Sequence, residues 1–235
     1  EALVAAELSR NLERPRTETE GRLERAIRMA ERYGTDRQKL EAQYEKLWTA
    51  FWWFDDIAMM NNGYGAFEQM ALGTDHARNL ELLCNLAQLL FNSVIHGHLA
   101  LEEAQLDERV GRLRDKLAVM AAETERPNHA LEARTSLLLL DVNGAMFDHD
   151  TERLSSLWRQ FSEVLSQARG LGEFAADRLR RLIEAIGYFS AGDPGYATLV
   201  DELAEFIAER TGEAQGALVL LQRAKQINFK DSFEM

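Results

Sequence analysis

The sequence predicts an all-α fold built from about five antiparallel helical hairpins. Three observations carry this expectation. Ala, Leu, Glu, Arg and Gln, all good helix formers, dominate nearly every segment. Only 3 prolines and 15 glycines punctuate 235 residues, and each proline stands where a helix should begin. Apolar residues recur at helical spacing, and their pattern repeats with a step of about 44 residues.

Turn signals set the elements in order. Pro15, Pro127 and Pro194 open helices at about 17, 128 and 195. Gly34-Thr35-Asp36 and Gly73-Thr74-Asp75 share one word, in which Gly ends a helix in the left-handed conformation and Thr or Asp caps the next. The expected helices are 2–13, 17–33, 36–60, 64–72, 75–99, 107–124, 128–147, 152–169, 172–190, 195–210 and 213–227. After the first, they pair into hairpins 17–60, 63–99, 107–147, 151–190 and 195–227 of a single helical-repeat domain.

The apolar stripes give the same register. Val110, Leu113, Leu117 and Met120 recur 44 positions on as Leu154, Leu157, Phe161 and Val164, and Val200, Leu203 and Ile207 follow with a slightly larger shift. Each set is one face of a helix and must be covered by a neighbour. A hairpin cannot bury both faces alone, so hairpins are expected to stack into a curved array, a closed bundle being the competing arrangement.

The stretch TGEAQGALVLLQRA, with Gly212 at a turn followed by Ala217, Leu221 and Ala224, resembles the second half of a tetratricopeptide repeat. The resemblance covers about 15 residues. The preceding helix lacks the family's Trp, Leu-Gly and Tyr positions, and a step of 44 exceeds its usual length. It implies a long-helix, tetratricopeptide-like α-solenoid whose small residues mark close helix approach and whose function is protein or peptide recognition. Outside that stretch the similarity is architectural, and HEAT-like or degenerate long-helix repeats, such as those in the sensor regions of large signalling ATPases, are the alternative.

Composition narrows function. The net charge of −12 repels phosphate backbones, so no nucleic-acid partner is expected. Arg22, Arg25, Arg28 and Arg32, and Arg178, Arg180 and Arg181, are interspersed with acids and read as solvated faces. Cys84 is the single cysteine, which excludes an intramolecular disulfide, fits a cytoplasmic protein, and reads as core among Leu82, Leu83 and Leu86. The most apolar stretch, 80–95, is broken by Asn85, Gln88 and Asn92, so no membrane helix is expected. Glu1 follows no initiator Met, n-region or h-region, the pattern expected of a region from a larger protein.

Motifs for catalysis are missing: there is no phosphate loop, dinucleotide fingerprint, nucleophile elbow or His-Glu-x-x-His. No cofactor and no metal site is expected. On a continuous helix, His96 and His98 would point about 200° apart. Asp148, His149 and Asp150 read as a turn and cap. Asp55 and Asp56 follow the run Phe51-Trp52-Trp53-Phe54, where burial would raise an acid's pKa, though no second catalytic group can be placed opposite them.

Two features point to a partner-binding surface. Leu40, Tyr44, Leu47, Phe51 and Phe54 form one stripe, leaving Trp48, Trp52 and Trp53 outside it, either packed on a second side or open to a ligand. Asn85, Gln88, Asn92 and His96 run at 3-4-4 spacing down an apolar helix, where amides either bond the next hairpin or meet a peptide backbone. The expected function is a protein- or peptide-binding scaffold or sensor without intrinsic catalysis. The alternative is a helical enzyme or small-molecule-binding domain with a pocket around Trp48–Phe67.

Overall fold

The computed structural model describes residues 1–190 and 192–233, without the side chains of 189 and 229–233. Among the described residues it contains twelve α-helices and no strand. They are α1 (Ala2–Asn11), α2 (Arg16–Tyr33), α3 (Asp36–Phe54), α4 (Ile57–Leu72), α5 (Ala77–Ile95), α6 (Leu101–Ala104), α7 (Leu106–Ala121), α8 (Pro127–Phe147), α9 (Thr151–Arg169), α10 (Ala176–Ser190), α11 (Pro194–Thr211) and α12 (Glu213–Phe233). None of the described helices is long and apolar enough to cross a membrane.

Local chemistry explains most boundaries. Pro15 is the N-cap of α2, and Pro127 and Pro194 are the first residues of α8 and α11, where a missing N–H costs nothing. Thr35 and Gln38 form a reciprocal capping box at the start of α3. Asp150 caps α9 by accepting from the Arg153 amide at 2.9 Å, while Asp148 pairs with the Arg153 side chain at 3.4 Å. The acidic loop thus serves a turn and a cap.

Several expected boundaries are corrected. The helix expected over 36–60 stops at Phe54, because Asp55 turns left-handed at φ 50° and Asp56 accepts from the Met59 amide at 3.0 Å to start α4. Gly63, expected at a helix start, lies inside α4, where an added Cβ would overlap the Leu47 side chain of α3. Gly34 and Gly73 are not left-handed, with φ of −87° and −69°. At the second of these turns Thr74 and Asp75 do not cap the helix: the N-cap of α5 is His76, and the Thr74 hydroxyl accepts from the Asn79 amide at 2.7 Å. Helix α5 ends at Ile95, after which Gly97 reverses the chain at φ 71°.

The chain divides into two compact units, Glu1–Lys116 and one that starts at Leu117. In the first, Leu23, Leu40, Leu47, Met60, Tyr64, Phe67, Leu80, Leu83 and Leu90 are buried. In the second, Trp158, Phe161, Leu179, Ile183, Tyr196, Leu203 and Phe206 belong to one apolar cluster. The repeated stripes are buried as expected, apart from Leu154, which is half-buried.

Within each unit, side chains tie several helices to the one two places on. Arg10 of α1 bonds Glu45 and Thr49 of α3 at 2.7 and 2.9 Å. Arg37 and Tyr44 of α3 bond Asn79 and Asn85 of α5 at 2.8 and 3.4 Å. In the second unit, Arg178 of α10 bonds Ser136 of α8 at 2.6 Å, and Gln226 of α12 bonds the Glu184 carbonyl of α10 at 2.6 Å. Arg169 of α9 pairs with Glu209 of α11. Arg210 of α11 in turn donates to the carbonyls of Ala168 and Leu171, at 2.5 and 2.7 Å, closing the C-terminal end of α9.

The last hairpin differs from the expectation attached to its sequence. Ala217, Leu221 and Ala224 are exposed rather than set at the close helix approach. Gly216 takes that role: a Cβ there would lie 2.6 Å from the Ala204 carbonyl oxygen and 2.9 Å from the Ala208 Cβ of α11.

Candidate protein-binding face

The face forms where α3 and α5 lie side by side in the first unit. Arg37 reaches Asn79 and Tyr44 reaches Asn85, so seven residues along α3 match six along α5 and the two helices run in the same direction. Trp48 and Gln88 stand next along this register, followed by Trp52 and Asn92. Helical spacing of four on α3 therefore runs beside spacing of three and four on α5.

The aromatics form a ladder. Tyr44 and Trp48 stack with ring centroids 5.4 Å apart, and Trp48 and Trp52 follow at 5.7 Å with planes tilted by 55°. Phe51 meets the edge of Trp52 at 5.1 Å. Tyr44 is buried, Trp48 half-buried, and Trp52 54% exposed, so the ladder climbs from the core to solvent. Burial pushes the Tyr44 hydroxyl above its ordinary pKa, which keeps it neutral and able to share a hydrogen bond with Asn85.

Trp53 does not join the ladder. It is 42% exposed, and the Arg10 guanidinium of α1 lies over its ring at 4.1 Å. That cation–π contact orients the indole toward α1. Among the predicted amides, Asn85 meets Tyr44, whereas the side chains of Gln88 and Asn92 are half-buried with no hydrogen-bond partner among the described residues. An amide in that state keeps donors and acceptors available to an incoming backbone.

His96 is exposed at the end of α5, with its Nδ1 2.8 Å from the Asn92 carbonyl oxygen. Its ring is parallel to that of His98, 6.2 Å away with planes 10° apart, rather than turned away from it. The helix has ended by then, and the positive φ of Gly97 brings the two rings round. Among the described residues no group of three or more His, Cys, Asp or Glu side chains is placed to hold a metal ion.

The other chemical candidates are structural. Asp56 pairs with Arg16 at 2.5 Å as well as capping α4, and these bonds hold its carboxyl below the ordinary carboxylate pKa instead of raising it. Cys84 is fully buried. Met60, Tyr64 and Phe67, from the stretch expected to line a pocket, are core residues.

Sequence reasoning missed Arg37, Asn79 and the role of Tyr44. Tyr44 read only as core, yet its position four residues before Trp48 marks it as the foot of the ladder. Arg37 also bonds the Arg78 carbonyl at 2.9 Å and lines an open cleft of about 1130 Å³ with Lys39, Thr74, His76, Arg78 and Asn79. This cleft lies at the starts of α3 and α5.

No family model matches the chain, and no curated protein or solved structure is similar to it.

Proposed function

We propose that the chain is a protein- or peptide-binding scaffold or sensor, without chemistry of its own, belonging to a larger cytoplasmic signalling protein. The α3–α5 face is its docking surface. One observation carries this reading: the Asn85–Tyr44 bond joins α5 to the foot of the Tyr44–Trp48–Trp52 ladder, and further along α5 the Gln88 and Asn92 amides have no side-chain partner among the described residues. Flat rings cover apolar side chains of a peptide, while amides meet its backbone.

The bonding between helices two places apart supports a finer reading, in which all five hairpins continue as a tetratricopeptide-like α-solenoid. Small-angle scattering tests it. The radius of gyration should lie clearly above the roughly 17–18 Å expected for a compact chain of this length, and a value at that level refutes the solenoid.

Binding is tested with a phage-displayed peptide library panned against the whole chain. Enriched peptides should lose roughly 30-fold in affinity with Trp52→Ala, about 2 kcal/mol, and several-fold with Asn92→Ala, at an unchanged thermal midpoint. Failure of any peptide to enrich, or equal binding by wild type and both variants, refutes the reading.

A further inference from the structure

Helices α1 and α12 each carry a second apolar stripe on the side away from their own core. On α1, Ala6 and Ser9 are buried, while Val4, Leu8 and Leu12 recur every four residues in solvent, with Leu8 55% exposed. On α12, Gly216, Val219 and Gln226 are buried. Its exposed residues include Ala214, Ala217, Leu218, Leu220, Leu221 and Ala224, with Leu221 50% exposed. A helix that is apolar on two faces is made to be packed on two sides, whereas the outer face of an array's capping helix is polar.

We propose that α12 of one copy docks antiparallel on α1 of a second copy, joining copies head to tail. Side-chain size is complementary. The branched chains of Val4, Leu8 and Leu12 meet a stripe in which Ala214, Ala217 and Ala224 leave room between Leu218 and Leu221. Two α1 stripes facing each other would set Val4, Leu8 and Leu12 against one another with only the half-buried Ala5 between them, and two α12 stripes would leave space opposite their alanines.

Charge is complementary at both ends. Exposed Glu1 and Arg14 bracket the α1 stripe, and exposed Glu213 and Lys225 bracket the α12 stripe. The α12 bracket spans about 18 Å at 1.5 Å per residue, and the α1 bracket runs from the N-cap Glu1 to Arg14, which lies just past the helix end in the turn that Glu13 makes at φ 52°. Antiparallel docking therefore sets Glu213 beside Arg14 of the next copy and Lys225 beside its Glu1. None of the four has an ion-pair partner among the described residues. The contact joins unlike surfaces, so each copy carries both halves of it and copies assemble into a closed ring or an open chain.

Sedimentation velocity across the micromolar range provides the test, with Leu8→Glu and Leu221→Glu as variants. Wild-type chain should associate as concentration rises. Each variant alone should stay monomeric, and their equimolar mixture should form dimers and stop there, since each supplies the surface that the other lacks. Val4→Glu and Leu218→Glu replace any variant whose thermal midpoint falls. Wild-type chain that stays monomeric at every concentration overturns the proposal. Association of Leu8→Glu alone would assign the contact to paired α12 faces, and association of Leu221→Glu alone to paired α1 faces; either also overturns it.

Discussion

Replacing Gly187 by Ala adds one methyl group where α10 meets Tyr196 of α11 and Gln226 of α12. The new Cβ would overlap both the Gln226 amide oxygen and the Tyr196 hydroxyl. Each of those groups makes a bond that crosses between helices: Gln226 donates to the Glu184 carbonyl at 2.6 Å, and Tyr196 to the Ile183 carbonyl at 2.8 Å. Both side chains are buried, so neither finds water when displaced. Overpacking costs about 1–3 kcal/mol, and loss of the two bonds adds roughly 1 kcal/mol each. The better helix propensity of Ala returns about 1 kcal/mol. The net expectation is a destabilisation of about 3 kcal/mol. Urea unfolding followed by circular dichroism measures it, with Gly65→Ala as the control. Gly65 lies inside α4 with open space around its Cβ position, so Ala there should stabilise by about 0.5–1 kcal/mol. Equal, stabilising effects of the two substitutions would show that crowding at Gly187 is not what holds α10 against its neighbours.

Arg109 is buried, lies over the Tyr64 ring at 4.6 Å and bonds Asn61 at 2.6 Å. Arg109→Ala should cost about 3 kcal/mol by urea unfolding, through lost packing and an amide left without its partner, and a cost below about 1 kcal/mol would contradict this role. The Asp56 carboxyl is held below its ordinary pKa by the hydrogen bond from Arg16, then by that from the Met59 amide. Its contribution is therefore complete above the unfolded value of about 4 and is lost as pH falls through the lower folded value. Asp56→Asn should lower stability near neutrality and flatten the acid limb of the stability profile, while an acid limb identical to wild type would exclude Asp56 as a contributor. Thr35→Ala removes one half of the capping box with Gln38 and should cost about 1 kcal/mol, measured by the same unfolding.

The sequence by itself determined what is local. Helical class, the three proline starts, the Thr35–Gln38 box and the buried 44-residue stripes follow from backbone groups and side chains a few residues apart. The Asp55–Asp56 break was not legible because no Gly or Pro marks it. An aspartate adopted the left-handed turn and its neighbour became a cap, after nineteen residues of uninterrupted helix from Asp36 to Phe54. Tertiary structure alone decided which faces meet. Trp48, Trp52 and Trp53 lie on one helix, and spacing alone did not say which would pack where: Arg10 lies over Trp53 from α1, while Trp48 and Trp52 stack above Tyr44, which bonds Asn85 of α5. The same holds at α12, where Gly216 rather than Ala217 meets α11. Periodicity fixes that a helix has an apolar side, but the partner chosen for that side depends on contacts some 40 residues away, such as Arg37 with Asn79, which the spacing within one helix does not encode.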